Sequence, residues 1–230
     1  MIISHKHKFI FIKTAKTAGT SMEIALSGLC GPEDIITPIL PEDEKLRREL
    51  GYPGPQNCLA PITDYGLKDL GKLLVRRRPR LRFYNHISAR EIKRHLNPWV
   101  WNRYYKFCFE RNPWDRVLSF YFWHYKQEPR PSLQEFIASG KPEILRKRGY
   151  ELYTINGQVV VDRVCFYENL GYEMEQVRRQ LELPQELELP RTKSAYRIRR
   201  SSYREEYSPE ERYKVQEMFS REIALLGYSF

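Results

Sequence analysis

A short apolar run, a loop of small and basic residues, and a helical segment follow one another near the start of the chain. Phe9–Ile12 is apolar, and residues 13–21 read KTAKTAGTS. A strand that passes through a tight loop into a helix aims backbone N–H groups and the helix N-terminus at one point, where an anion binds. Gly19 lets the backbone approach that anion closely, and Lys16 adds a cation. The pattern predicts an anion-binding loop in an α/β fold.

The order of residues in this loop differs from that of a nucleoside triphosphatase. The triphosphatase loop reads G-x-x-x-x-G-K-[ST], and its final hydroxyl binds magnesium. Here Lys16 precedes Gly19, and no hydroxyl follows a glycine-lysine pair. The hydroxyls of Thr20 and Ser21 come after the glycine instead. The loop therefore predicts anion binding with no metal site.

Length and hydrophobic content limit the number of domains that the chain can form. The 230 residues, 41% of them hydrophobic, can bury one sizeable core. We expect a single domain over 1–230, with an insertion or substrate-side excursion at about 31–75, since residues 31–61 are rich in proline and glycine. No window approaches the ~18–20 continuous apolar residues of a membrane span, and the first apolar run is too short for a signal peptide. We expect a soluble, cytoplasmic chain with no integral membrane association.

The cysteines and the net charge limit the classes of partner. The four cysteines have neither metal-ligand spacing nor the density of a disulfide scaffold, so we expect reduced thiols: Cys30, Cys58, Cys108 and Cys165. The formal charge of +10 is concentrated in two clusters, at 76–94 and 191–204. Nucleic acid, acidic glycans and a phosphorylated cofactor all remain possible partners, and so does a simply solvated basic surface.

Strand-like and helical segments alternate along the chain. The strand candidates are Phe9–Ile12, Leu81–Tyr84, Tyr104–Glu110 and Arg163–Tyr167, with a hairpin at Asn156-Gly157. Capping signals predict helices from Ser88 to Leu96, from Pro113 to about Lys126, and from Ser208 to Gly227. This alternation predicts a three-layer α/β/α, P-loop-like domain with a mainly parallel central sheet.

In such sheets ligands bind beyond the carboxyl ends of the strands. Lys16, His86 and Arg111 each follow a predicted strand, so we expect them to converge on one cleft. Arg111 and Ser119, the latter two turns into the next helix, can grip the same phosphate. Arg116, Ser119 and Trp123 share one helix face by their spacing, which is expected to meet the ligand.

These residues carry a family resemblance. KTAKTAGTS after a strand, together with RNPWDRVLS at 111–119, resembles the two cofactor-binding signatures of sulfotransferases that use 3′-phosphoadenosine 5′-phosphosulfate. The likeness is closer to the carbohydrate (Golgi-type, family 2) branch, whose first loop often reads P-K-T-G-G-T-S. Alanine stands at 15 and 18, where proline and glycine are common in that branch.

The resemblance implies a role for each matching residue. The 5′-phosphosulfate would be held by Lys16, Thr17, Ala18, Gly19, Thr20 and Ser21. Arg111 and Ser119 would hold the 3′-phosphate, and no metal is implied. The segment 191–200 stands where related enzymes fold a late loop over the nucleotide, with Lys193 and Arg197 as candidate contacts, although the family's usual asparagine is not evident there.

The resemblance also implies a reaction. A sulfuryl group would pass in line to an acceptor hydroxyl of a glycan or glycolipid, leaving 3′-phosphoadenosine 5′-phosphate. His86 stands where several members of this branch place a catalytic base, and imidazole is matched to neutral pH. Glu110 and Glu91 are the next candidates for the base. Lys16 would stabilise the negative charge that grows on the leaving oxygen.

Two other functions are consistent with parts of the sequence. A degenerate P-loop nucleotide kinase or hydrolase would need an acidic metal ligand at a strand end, and only Glu110 and Glu168 stand at such ends. A nucleic-acid-binding module would fit the basic clusters, but no helix-turn-helix, zinc finger or RNA-binding signature is present, so we expect no nucleic-acid partner. The acceptor, the hydroxyl that is modified and the oligomeric state are not predicted.

Overall fold

A computed structural model of the chain describes residues 1–77, 79–184, 187–190 and 202–230. Its strands are β1 (Ile2–Ser4), β2 (Phe9–Ile12), β3 (Ile35–Ile36), β4 (Tyr105–Glu110), β5 (Thr154–Ile155), β6 (Gln158–Val159) and β7 (Arg163–Phe166). Five of them form one sheet in the order β3-β1-β2-β4-β7, and β5 and β6 form a separate hairpin.

The centre of the sheet is parallel. Strand β2 pairs in parallel with β4, and β4 with β7, whereas β1 runs antiparallel to both of its neighbours, β2 and β3. The three parallel strands end at Ile12, Glu110 and Phe166. Because carboxyl ends of parallel strands meet at one edge, the loops that follow these residues lie together. The fold is a mixed α/β fold with a central, mostly parallel sheet.

The helices flank this sheet. They are α1 (Gly19–Ser27), α2 (Pro41–Glu49), α3 (Leu67–Arg76), α4 (Ala89–His95), α5 (Pro98–Arg103), α6 (Pro113–His124), α7 (Leu133–Ala138), α8 (Glu143–Lys147), α9 (Tyr150–Tyr153), α10 (Leu170–Gln180), α11 (Pro209–Met218) and α12 (Ser220–Leu226). Within the described ranges, none of them is both long enough and apolar enough to cross a bilayer.

Strand β2 has both of its faces buried. Phe9 and Phe11 pack with α1 and α10 on one side of the sheet. Ile10 and Ile12 pack with α4, α5 and α9 on the other side. Successive side chains of a strand point to opposite faces, so a strand that is apolar at every position must be covered on both. A third cluster joins α6, α7 and α11 around Trp114.

Several predicted elements are confirmed and others are wrong. The structure confirms strands β2, β4 and β7, the Asn112 cap of α6 and the capping box between Ser208 and Glu211. The predicted strand at Leu81–Tyr84 is wrong, because Leu81 forms only an isolated bridge to Leu59. The sequence did not reveal β1 and β3, whose three and two residues are too short to display a period.

The C-terminal helix is also different from the prediction. It begins at Pro209 as expected but divides into α11 and α12, because Phe219 leaves helical geometry at φ −115° and ψ 26°. Arg78, Gln185, Glu186 and residues 191–201 lie outside the described residues. These undescribed residues include Lys193 and Arg197, the predicted nucleotide contacts, and most of the second basic cluster.

Candidate active site

A cavity of about 610 Å³ opens where β2, β4 and β7 end. Eight of the nine predicted site residues line it: Lys16, Ala18, Gly19, Thr20, Ser21, His86, Arg111 and Ser119. Three segments that are far apart in the sequence thus meet at one place, as the carboxyl-end rule predicts.

The loop between β2 and α1 has an unusual backbone. Lys16 and Ala18 both adopt left-handed conformations, with φ of 66° and 58°. Alternating left-handed and right-handed residues turn successive N–H groups towards one point, which forms an anion-binding concavity. A Cβ at Gly19 would lie 2.8 Å from Lys13 Cγ and 3.2 Å from the Thr14 carbonyl oxygen. Glycine is therefore required at 19 by the lack of space, since α1 begins there in ordinary helical geometry.

Thr17 is the predicted site residue whose side chain does not reach the cavity. It is completely buried, and its hydroxyl lies 2.9 Å from the Thr14 hydroxyl and 3.3 Å from the Thr14 carbonyl oxygen. The Thr14 hydroxyl in turn donates to the carbonyl of Phe109 in β4. These hydroxyls tie the loop to the sheet, so the side chain of Thr17 supports the loop's shape.

Lys13, the first residue after β2, links the loop to α1. Its ammonium lies 2.7 Å from Glu23 Oε2, and both side chains are almost fully buried. Burial alone would raise the pKa of Glu23, but the neighbouring Lys13 cation opposes this effect most strongly, and the pKa of Glu23 is lowered to about 2. Arg47 of α2 is also buried close to Glu23. The glutamate is thus held ionised among cations directly beneath the loop.

The His86 ring forms a hydrogen bond to this same residue, Lys13. Its Nδ1 lies 2.9 Å from the Lys13 carbonyl oxygen, and its backbone is left-handed at φ 59°. A carbonyl can only accept, so Nδ1 carries the hydrogen. The other ring nitrogen, Nε2, is then an acceptor while the imidazole is neutral.

The surroundings of His86 keep the imidazole neutral. Burial lowers its pKa most, and the Lys13 cation lowers it further, to about 3, although the hydrogen bond to the Lys13 carbonyl acts in the opposite direction. Arg148, which also lines the cavity, adds to the lowering. At neutral pH the imidazole is therefore uncharged, and it is a weaker base than the imidazole matched to neutral pH that the sequence predicts.

Arg111 enters the cavity from the end of β4. Its Nε and Nη2 lie 2.8 and 2.6 Å from Asp115 Oδ2, and its Nη1 donates to the Lys16 carbonyl at 3.1 Å. The guanidinium also lies over the Tyr167 ring, 4.1 Å from the centroid. Among the described residues, these contacts use three of its five N–H donors, which leaves two for a ligand. Arg111 is therefore fixed in direction before any anion binds.

The comparisons with known proteins agree with this geometry. Residues 1–151 match the model of the sulfotransferase family, and that span contains the anion-binding loop, His86, Arg111 and Ser119. The chain belongs to the sulfotransferase family. An uncharacterized protein of Archaeoglobus fulgidus is 32% identical over 103 residues, which are 43% of this chain and 84% of that protein. No solved structure matches the chain.

Membership of the sulfotransferase family supports sulfate transfer as the general activity. A family of this kind generally uses a phosphoadenosine phosphosulfate donor and a hydroxyl acceptor. Among the described residues, no group of three or more His, Cys, Asp and Glu side chains is arranged to hold a metal ion.

The face of α6 that was expected to meet the ligand of this sulfotransferase is only partly as predicted. Ser119 and Trp123 line the cavity, but Arg116 does not. Arg116 is 1% exposed, pairs with Glu110 at 2.7 Å and donates to the Ala15 carbonyl at 2.9 Å. It therefore braces the loop from below. Spacing along a helix shows which residues share a face but not how deep the neighbouring chain lies.

Neither of the alternative bases reaches the cavity. Glu110 is buried beneath it, where burial raises the pKa to about 7 against the lowering effect of Arg116. Glu91 accepts from the hydroxyls of Tyr84 and Ser88. Of the three candidates, only His86 lines the cavity.

Sequence reasoning did not single out several cavity residues. Arg148 is exposed and follows α8, whose N-terminus has no side-chain cap. Tyr167 lies under Arg111, and Ile39 and Leu40 come from the stretch 31–75. A strand end could have indicated Tyr167, since it directly follows β7. Nothing in the local sequence indicates Arg148, which only the path of the chain brings near His86.

Proposed function

We propose that the chain transfers the sulfuryl group of 3′-phosphoadenosine 5′-phosphosulfate to an acceptor hydroxyl, with His86 as general base and with no metal. The observation that carries the proposal is the cavity in which Lys16, His86 and Arg111 meet at the carboxyl edge of the parallel strands. Helices pack on both faces of that sheet, which supports a three-layer, P-loop-like domain over 1–230.

The loop fits the phosphosulfate end of this donor. Two left-handed residues followed by the first turn of α1 are the backbone geometry that turns N–H groups towards an anion, and a Cβ at Gly19 would disturb that geometry. Thr20 and Ser21 line the cavity beside them. Thr17 would contact the donor through its backbone, because its hydroxyl is bonded to Thr14 within the loop.

The 3′-phosphate would bind Arg111 and Ser119. The two remaining N–H donors of Arg111 form a planar fork that suits phosphate oxygens, and Tyr167 and Asp115 keep the fork from rotating. Ser119, on the cavity side of α6, adds a short donor. A diphosphate without the 3′ group would lose both interactions, which predicts discrimination between nucleotides.

When bound, the donor supplies the sulfuryl group and the phosphate that leaves. His86 Nε2 accepts the proton of the attacking hydroxyl, while the Nδ1 hydrogen bond to the Lys13 carbonyl keeps the ring in the required tautomer. Lys16 stabilises the charge that develops on the leaving oxygen. Its ammonium lies 5.2 Å from the centroid of the Trp123 ring, so this aromatic wall holds the cation within the cavity.

The acceptor would be a carbohydrate or a glycolipid, as the resemblance to the carbohydrate branch implies. The cavity has an aromatic and aliphatic wall at Trp123, Phe120 and Leu40, and a cation at Arg148. A sugar ring stacks on aromatic faces through its C–H groups, and the cation would attract an anionic saccharide. The proposal also includes that the protein acts in the cytoplasm.

The proposal is tested first by binding. We expect 3′-phosphoadenosine 5′-phosphate to bind in calorimetry without magnesium, and adenosine diphosphate to bind at least about 10-fold more weakly. Preferential binding of magnesium-ATP would instead favour a kinase or hydrolase. The strand-end carboxylates do not support that alternative, because Glu110 pairs with Arg116 and Glu168 accepts from the Asn112 N–H.

The second test is transfer. Labelled donor is incubated with a panel of lipids, polysaccharides and small alcohols, and the labelled product is identified. Lys16→Ala should reduce the rate by about 100- to 1,000-fold, as the loss of one transition-state donor does. Lys45→Ala is the matched control, since that lysine is 73% exposed and lies outside the cavity lining. An unchanged rate in Lys16→Ala would overturn the assignment of Lys16.

A further inference from the structure

Helix α3 exposes most of its apolar side chains. Leu67, Leu74 and Val75 are 89%, 82% and 83% exposed, and no core cluster of the described residues includes them. Ile62, just before the helix, is 73% exposed. Contiguous exposed apolar surface of this kind marks an interaction site.

The polar side chains of α3 are segregated from the apolar ones. Lys68, Lys72 and Arg76 follow one another at intervals of four residues and share a face of the helix. In the part of the chain that the structure describes, none of them forms an ion pair. The only acidic residue in α3, Asp69, is neutralised by Arg80, whose Nη1 lies 3.1 Å from Asp69 Oδ2. The helix is amphipathic and its polar face is cationic.

The identity of the partner follows from this combination. Nucleic acid would leave the leucines in water. Protein interfaces are depleted in lysine and enriched in aromatic residues, whereas α3 has two lysines and no aromatic residue. A second copy would need about 800 Å² per partner, far more than the apolar face of a helix ~15 Å long. An anionic bilayer surface can use both faces of the helix, because the leucines enter the acyl boundary beside the headgroups that attract the cations.

We propose that residues 67–77, here called the α3 surface, dock the protein on an anionic membrane with the helix in the plane of the headgroups. Leu67, Leu74 and Val75 enter the interface, and the basic face contacts the lipid headgroups. This docking is peripheral and does not depend on the sulfuryl-transfer reaction.

Sedimentation with vesicles tests the proposal on the full chain. The protein is mixed with vesicles of phosphatidylcholine alone or with about 30% phosphatidylserine added. Three cations near the surface, at roughly fivefold each, should give about 100-fold stronger partitioning to the anionic vesicles, and salt should reduce it. Equal partitioning to both compositions, or none to the anionic vesicles at low salt, would overturn the proposal.

Paired variants separate the two faces of the helix. Leu67→Gln/Leu74→Gln and Lys68→Gln/Lys72→Gln/Arg76→Gln should each lower partitioning at least about 10-fold. The apolar control is Leu50→Gln/Leu225→Gln, at residues 42% and 44% exposed elsewhere. The charge control is Lys45→Gln/Arg179→Gln/Lys214→Gln, which removes three cations from other helices. Both controls should bind vesicles like the parent chain. Equal losses in the controls would show an effect of general charge or hydrophobicity.

Hydrogen exchange locates the contact. Amides of residues 67–77 should be protected by anionic vesicles and not by neutral ones, while the central strands remain unchanged. Sedimentation velocity without lipid tests whether the α3 surface joins two copies of the chain. A dimer in the parent chain that is lost in Leu67→Gln/Leu74→Gln would overturn membrane docking, because the α3 surface would then be an interface between copies.

Discussion

Two segments of the candidate site use the same strained backbone geometry but are supported in different ways. In the loop between β2 and α1, Lys16 and Ala18 are left-handed, and the hydrogen bond between the Thr14 and Thr17 hydroxyls supports the loop from within its own sequence. Arg111 and Arg116 add hydrogen bonds to its carbonyls. His86 is left-handed in a turn before α4, and a hydrogen bond to Lys13, 73 positions away, orients its ring. The loop therefore combines local and tertiary support, whereas the orientation of the His86 ring depends on a tertiary contact.

The largest expected effect comes from removing the proton acceptor of His86 while retaining its support. In His86→Asn the side-chain amide can still donate to the Lys13 carbonyl, and asparagine tolerates left-handed geometry. We expect the rate of sulfuryl transfer to fall about 100- to 10,000-fold with little change in binding of 3′-phosphoadenosine 5′-phosphate. Single-turnover kinetics and calorimetry measure the two quantities. A variant with the parent rate would remove His86 from the mechanism.

A Cβ at Gly19 should damage the loop between β2 and α1. Gly19→Ala would place that carbon 2.8 Å from Lys13 Cγ, and Lys13 cannot move easily because it is buried and paired with Glu23. We expect nucleotide binding to weaken about 10- to 100-fold, measured by calorimetry. Gly171→Ala in α10 is the matched control, since nothing lies within 4 Å of its added carbon. Parent-like binding in Gly19→Ala would show that the loop can adjust.

The dependence of His86 on its surroundings predicts a pH effect on stability. The folded pKa is about 3 against an ordinary 6.5, so below about pH 6.5 the unfolded chain binds a proton that the folded chain does not. The free energy of unfolding should therefore fall by ~1.4 kcal/mol for each unit of pH in this window. Urea titrations at pH 7 and pH 5 should show a loss about 2 kcal/mol larger in the parent than in His86→Asn. Equal losses would mean that the imidazole is accessible to solvent.

The smallest effect should come from relieving the strain at Ala18. Glycine adopts φ 58° without the penalty that alanine carries, so Ala18→Gly should raise the free energy of unfolding by about 0.5–1 kcal/mol. The control Ala25→Gly, in the interior of α1, should lower it by about 1 kcal/mol or more. Urea denaturation measures both. Destabilisation in both variants would show that packing of the Ala18 methyl group outweighs its backbone strain.

Prediction from sequence succeeded where local signals were strong. The apolar run of β2, the alternation of β4, and the caps at Asn112 and Ser208 each indicate an element within a few residues. It failed where a segment owes its structure to its neighbours. Strand β3 has two residues and exists because β1 pairs with it, and Leu81–Tyr84 lacks a partner strand despite its pattern.

The sequence by itself determined the three central parallel strands, the loop between β2 and α1, and the meeting of that loop with Arg111, because strand and helix signals are local and carboxyl ends of parallel strands converge. Only the tertiary structure decided which neighbours of these residues line the cavity. It buried Arg116 under the loop, used the Thr17 hydroxyl inside it and brought Arg148 to the cavity. The depth of a side chain and the direction in which it points depend on packing between distant segments, and no local sequence pattern indicates them.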